Sequence, residues 1–141
     1  MPAINPYLNF PGTTEDAFNF YKPVFGGEFL TFQRFKDTPD AGMLPPGVEN
    51  QVMHVALPIG KHNILMGTDA PESMGFSLTV GTNQYICISP DSRDEATKLF
   101  NGLSAGGKVE MDLQDMFWGA YYGSLIDKFG IKWMVNYTKQ Q

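Results

Sequence analysis

Short stretches in which every second position is apolar alternate along this chain with two stretches in which apolar residues recur every three or four positions. A period of two fits a half-buried strand, and the longer period fits an amphipathic helix. Residues 4–10 are thus expected as a strand, ended by Pro11-Gly12. Thr13 should cap a helix, with Asp16 three residues on as a variant capping box and Ala17, Phe18, Tyr21, Val24 and Phe25 as its apolar stripe. Gly26-Gly27 ends that helix, and Pro23 removes a donor inside it, which predicts a kink or unwinding before Phe25. Residues 28–35, 51–57 and 63–68 read as strands, the last two forming a hairpin around Pro58-Ile59-Gly60-Lys61.

The second half follows the same plan. Residues 84–89 are a strand, Ser92 and Glu95 form a capping box, and Ala96, Leu99, Phe100 and Leu103 line a helix ended by Gly106-Gly107. Residues 108–113, 121–126 and 131–137 follow as strands. Asp127-Lys128-Phe129-Gly130 is a turn signal, because Asp can bond its own downstream backbone and Gly supplies a positive φ. Beyond it, Ile131, Trp133 and Val135 share one face, and Lys132, Met134 and Asn136 share the other. The order β-α-β-β-β therefore occurs twice, which is the mark of a duplicated unit.

Short strands with one apolar face need a partner surface. An α+β fold satisfies this if two βαβββ modules lie side by side, with helices outside and a curved sheet trough inside. The expected boundaries are about 1–69 for the first module, a linker or lid at about 70–82, and about 83–141 for the second. Loops 36–50 and 67–82 are rich in proline and glycine, and serve either as lids or as plain surface connections.

The 141 residues suffice for one domain or two half-size modules sharing a core. A net charge of −5, with basic residues scattered singly, argues against nucleic acid as the main partner. The single cysteine, Cys87, excludes an intrachain disulfide and a Cys-based metal site, and its apolar neighbours predict a buried structural thiol. No apolar stretch reaches membrane-spanning length, and Met-Pro-Ala-Ile-Asn-Pro lacks the features of a leader, so a cytoplasmic protein with no membrane partner is expected.

Several stretches carry a family resemblance: Pro6-Tyr7-Leu8-Asn9-Phe10, Met53-His54-Val55-Ala56-Leu57, Leu65-Met66-Gly67-Thr68-Asp69, Gly107-Lys108-Val109-Glu110-Met111, and the ten residues from Asp127. Together they resemble the PhnB-like branch of the vicinal-oxygen-chelate superfamily, which includes glyoxalase I, bleomycin-resistance proteins and extradiol dioxygenases. The likeness covers nearly the whole chain and implies the duplicated fold and a homodimer. The last segment is similar to the terminal D-P-x-G-x-x-x-E hairpin of that superfamily, whose Glu is a metal ligand. Counted from Asp127, that position is Met134. Some family members carry a ubiquinone-pathway methyltransferase label, yet no glycine-rich strand-to-helix turn is present to cradle S-adenosylmethionine.

The superfamily's four metal positions fall on Asn5, Met66, Tyr85 and Met134. Two thioethers, an amide and a phenol do not suit Fe²⁺, Ni²⁺, Mn²⁺ or Zn²⁺, so neither metal nor other cofactor is expected. A rival site would use His54 and His62. With Gly60-Lys61 as the loop, His62 faces Ile59 and His54 faces Gly67, too far apart for one ion.

His54 is either a neutral core histidine or a general base or hydrogen-bonding group in the trough. Trp118 with Phe117 makes an aromatic wall or a core or dimer contact. Glu110 most simply belongs to a solvated face. The leading expectation is a non-catalytic, metal-free binder of a small apolar or aromatic molecule. Met66, Tyr85, Trp118 and Met134 would hold the ligand, and Asn5, Tyr7 and His54 would orient it. The alternative is an enzyme of the superfamily: an isomerase or lyase with His54 as base, or a dioxygenase-like protein with unrecognised metal ligands.

Overall fold

The structure is a computed structural model describing residues 2–39 and 41–139, and it divides into two compact units, Met1–Thr79 and Val80–Gln141. In the first unit the elements are β1 (Tyr7–Phe10), α1 (Thr14–Phe25), β2 (Thr31–Arg34), β3 (Val52–Ile59) and β4 (Asn63–Asp69). Its sheet has the order β1-β4-β3-β2, with β1 parallel to β4 and the other pairs antiparallel. The second unit repeats the plan with β5 (Ile86–Ile88), α2 (Arg93–Ser104), β6 (Lys108–Asp115), β7 (Ala120–Ile126) and β8 (Lys132–Thr138), in the order β5-β8-β7-β6. Each unit is the expected βαβββ arrangement.

In each unit the helix covers one sheet face. Phe18 and Tyr21 of α1 are buried with Phe10, Val55, Leu57 and Leu65, and Leu99, Phe100 and Leu103 of α2 are buried with Leu125, Trp133 and Val135. The approach is close enough to require glycine. A Cβ on Gly67 would come 2.5 Å from Phe18 Cε1, and one on Gly123 would come 2.7 Å from Phe100 Cε2.

The start of α1 differs from expectation. Thr13 makes no side-chain cap, and the box with Asp16 does not form. The acceptor comes from the end of β4 instead. Asp69 Oδ1 accepts from the Thr14 amide at 3.0 Å and the Thr14 hydroxyl at 2.6 Å, while Oδ2 accepts from the Val52 amide at 2.8 Å. One buried carboxylate thus fills an orphan backbone donor at the helix start and ties α1, β3 and β4 together. Pro23 does not unwind the helix, which continues to Phe25. Asn19, whose carbonyl loses its bond to position 23, is exposed and open to water. At α2, Ser92 Oγ accepts from the Glu95 amide at 3.1 Å as expected, but Glu95 Oε1 accepts from Asp91 N–H at 2.8 Å rather than from Ser92.

The β3–β4 turn is one residue longer than expected. Ile59 pairs with Asn63 and Leu57 with Leu65, which leaves residues 60–62 as the turn and gives Gly60 a φ of 64°. This register puts Leu57 and Leu65 on the same buried face, whereas a two-residue turn would set them out of step. His62 therefore lies in the exposed turn, not opposite Ile59, and His54 pairs with Gln33 of β2.

An ion pair joins helix to sheet at matching places in the two units, with opposite polarity. In the first, Glu15 of the helix receives Arg34 from the end of β2 at 3.0 and 2.7 Å. In the second, Arg93 of the helix reaches Asp115 at the end of β6 at 2.7 and 2.8 Å. The loop after β2 is closed on itself, with Lys36 N–H donating to Glu49 C=O at 3.0 Å and Val48 buried. Among the described residues, no helix is long and apolar enough to cross a membrane.

Candidate functional site

Because each helix covers only one face, the opposite face of each sheet is bare of helix, and the candidate residues gather there. In the first unit, β1 starts at Tyr7 rather than residue 4, so Asn5 precedes the strand. Its Oδ1 accepts from the Ile64 amide at 3.0 Å, which ties the chain end to β4. Tyr7 pairs in register with Met66. From there it leans across β4 to His54, its hydroxyl 3.3 Å from Nδ1 and the rings stacked 5.7 Å apart. The sequence left the direction of His54 open. It points to the helix-free face, with a neighbour bonded to its ring.

In the second unit, the Asp127 turn forms as the sequence predicts. Asp127 Oδ1 accepts from the amides of Phe129 at 2.8 Å and Ile131 at 3.1 Å, and Gly130 has a φ of 91°. Asp127 Oδ2 accepts from Trp133 Nε1 at 2.8 Å, which fixes the indole on the helix side. Met134 consequently faces the other way, between Cys87 of β5 and Ser124 of β7. Tyr122 and Asn136 pair across β7 and β8 one step further along. Trp118 lies at the tip of the β6–β7 hairpin, with its ring 6.3 Å from that of Tyr122.

The other end of this face holds a network that the sequence missed. Tyr85, just before β5, donates its hydroxyl to Glu110 Oε1 at 2.8 Å, and Lys132 Nζ donates to Glu110 Oε2 at 2.9 Å. The ammonium also sits 4.6 Å from the centre of the Tyr85 ring. Lys132 and Tyr85 hold the Glu110 carboxyl below its ordinary range, and Glu110, then Tyr85, raise the lysine. Burial, then the nearby Tyr85, Cys87 and Glu110, push the Tyr122 phenol up. So Glu110 is not a simply solvated acid. Nor is Cys87 a buried thiol. It is exposed, because no helix covers its side of the short edge strand, although its neighbours shield the sulfur enough to raise its pKa.

The donor set does not fit a transition metal. In the first unit Asn5 Oδ1 is committed to a backbone amide and Met66 offers only a thioether; in the second, Tyr85 is bonded to Glu110 and Met134 is again a thioether. Among the described residues no group of three or more His, Cys, Asp or Glu side chains could share an ion. A buried acceptor does stand out. Asn136 Oδ1 is shut from solvent and unpaired, as is Gln51 Oε1 in the first unit.

The family model described as 3-demethylubiquinone-9 3-methyltransferase matches residues 2–136. Among solved structures, protein PA1353 from Pseudomonas aeruginosa is similar at 34% identity and a TM-score of 0.86, covering 99% of this chain and 100% of that one. A putative 3-demethylubiquinone-9 3-methyltransferase, PhnB protein, from Bacillus cereus shares 23% identity at a TM-score of 0.77, over 97% and 100% of the two chains. A glyoxalase/bleomycin resistance protein/dioxygenase family enzyme from Burkholderia phytofirmans shares the fold, with 17% identity, a TM-score of 0.60 and 96% of each chain covered.

Proposed function

Because this chain belongs to the 3-demethylubiquinone-9 3-methyltransferase family and has the fold of PhnB and glyoxalase/bleomycin-resistance proteins, we propose that it binds a small apolar or aromatic molecule without a metal and without transferring a methyl group. The observation that carries this reading is the bare sheet face of the second unit, where Tyr85, Tyr122 and Met134 line up beside the half-exposed Trp118. Methyl transfer finds no support, since β1 leads to α1 through Pro11-Gly12-Thr13, a connection with one glycine in place of a glycine-rich turn.

Burial supplies most of the energy such binding needs. Covering 150–250 Å² of ring at about 25 cal/mol per Å² yields roughly 4–6 kcal/mol. That falls short of the roughly 8 kcal/mol of a micromolar complex, so polar contacts must supply the rest. Asn5, Tyr7 and Met66 form the corresponding surface of the first unit. A homodimer is part of the same proposal, and sedimentation at the mass of a single chain would remove it.

Titration of purified protein with naphthalene derivatives, followed by backbone amide NMR shifts, tests the reading. Trp118→Ala and Met134→Ala should each weaken binding by about tenfold, or 1.4 kcal/mol. Unchanged affinity in both variants would move the site elsewhere. The second reading, an isomerase or lyase with His54 as base, is favoured only by the Tyr7 contact, which orients the ring. His54→Gln that folds but loses turnover of a carbonyl substrate would establish it.

A further inference from the structure

On the helix-free face of the second unit, Tyr122 and Asn136 stand opposite each other on β7 and β8. The Asn136 amide holds its oxygen inward, unpaired and shut from water. Among the described residues, its Nδ2 and the Tyr122 hydroxyl make no hydrogen bond, and neither atom is shut from solvent. Two neutral donors on directly opposed residues, whose Cβ atoms in such pairs lie about 5 Å apart, can converge on one acceptor. The Trp118 ring flanks them on one side and Met134, one alternation back along β8, on the other.

We propose that Tyr122 and Asn136 form a two-donor seat for a neutral carbonyl oxygen of a planar aromatic ligand whose ring lies between Trp118 and Met134. This deepens the proposed function and rests on it. The ligand class is an aromatic ketone, quinone, ester or amide. Two features favour the neutral oxygen over a carboxylate. Burial, the largest cause, raises the Tyr122 phenol and keeps it a donor, and the Glu110 carboxylate lies near enough to Tyr122 to disfavour a second negative charge there. Lys132 on this face is already committed to Glu110 at 2.9 Å. The Asn136 amide presents its N–H₂ toward this face with its unpaired oxygen shut in behind it.

The test uses three probes of matched shape with the full chain, followed by backbone and Trp118 indole NMR shifts: 2-acetylnaphthalene, 2-ethylnaphthalene and 2-naphthoate. The ketone should bind about tenfold more tightly than the hydrocarbon, as expected for hydrogen bonds to otherwise unpaired donors, and more tightly than the carboxylate. Tyr122→Phe, which removes only the hydroxyl, should erase most of the preference for the ketone while leaving hydrocarbon binding unchanged. Asn136→Ala should do the same, whereas Met134→Ala should weaken the ketone and the hydrocarbon alike. Equal binding of ketone and hydrocarbon, a preference that survives Tyr122→Phe, or a carboxylate that binds best overturns the carbonyl seat and leaves small-molecule binding standing. If none of the three probes binds, both readings fall.

Discussion

Asp69 shows how much one side chain carries in this fold. Its carboxylate accepts three hydrogen bonds from two other elements while only 2% exposed. Asp69→Ala would strand the Thr14 and Val52 donors in the interior, and should cost about 3 kcal/mol in a urea unfolding titration. Gly67 is the complementary case, where the absence of a side chain is what matters. Gly67→Ala would drive a methyl group into the Phe18 ring, which is itself fully buried and has nowhere to move. A loss of about 1–3 kcal/mol is expected from such overpacking, read as a lower unfolding midpoint with an unchanged m-value.

Secondary-structure elements were legible in the sequence wherever the cause was local. The Asp127 turn and the alternation after it can be read directly, because the residues that bond are two and four positions apart. The cap of α1 could not be, since its acceptor lies 55 residues away. The network of Glu110, Lys132 and Tyr85 was hidden for a related reason. Glu110 and Lys132 belong to β6 and β8 with β7 between them, and β6 shifts register twice, between Val109 and Met111 and again before Gln114. A strict period of two cannot anticipate which way a bulged strand aims its side chains.

Two ion pairs, Glu15–Arg34 between helix and sheet and Glu110–Lys132 between strands, belong to the same scale and give a pH prediction. Arg34 lowers the Glu15 pKa, and Lys132 with Tyr85 lowers that of Glu110. A carboxylate whose folded pKa is depressed contributes its stability above the unfolded value, and that contribution is lost as pH falls through the folded value. The unfolding midpoint should therefore begin to drop near the ordinary glutamate value of 4.5 and keep dropping as pH falls through the lower folded values. Arg34→Gln should flatten part of that drop. An unaltered acid limb in this variant would show that the Glu15 contact adds nothing. The effect will be modest, because both pairs are partly exposed.

For the molecule as a whole, the family resemblance raises the prospect of metal, and the chemistry of the donor positions points away from it. Asn5, Met66, Tyr85 and Met134 are one amide, one phenol and two thioethers. Elemental analysis of protein purified without chelator should find substoichiometric iron, nickel, manganese and zinc. Adding these ions should leave the thermal midpoint unchanged, since a ligand that does not bind the native state does not stabilise it. One tightly held ion per chain would refute the metal-free reading.

The opposite polarity of the two helix-to-sheet ion pairs bears on how the repeated halves find their own partners during folding. If α1 settled on the sheet of the second unit in the place of α2, Glu15 would meet Asp115; α2 on the first sheet would bring Arg93 to Arg34. Like charges in contact penalise either exchange, while the correct docking is rewarded in both halves. Duplication leaves two copies of one plan in a single chain, and this reversal of sign gives each helix a means of telling its own sheet from its sibling's.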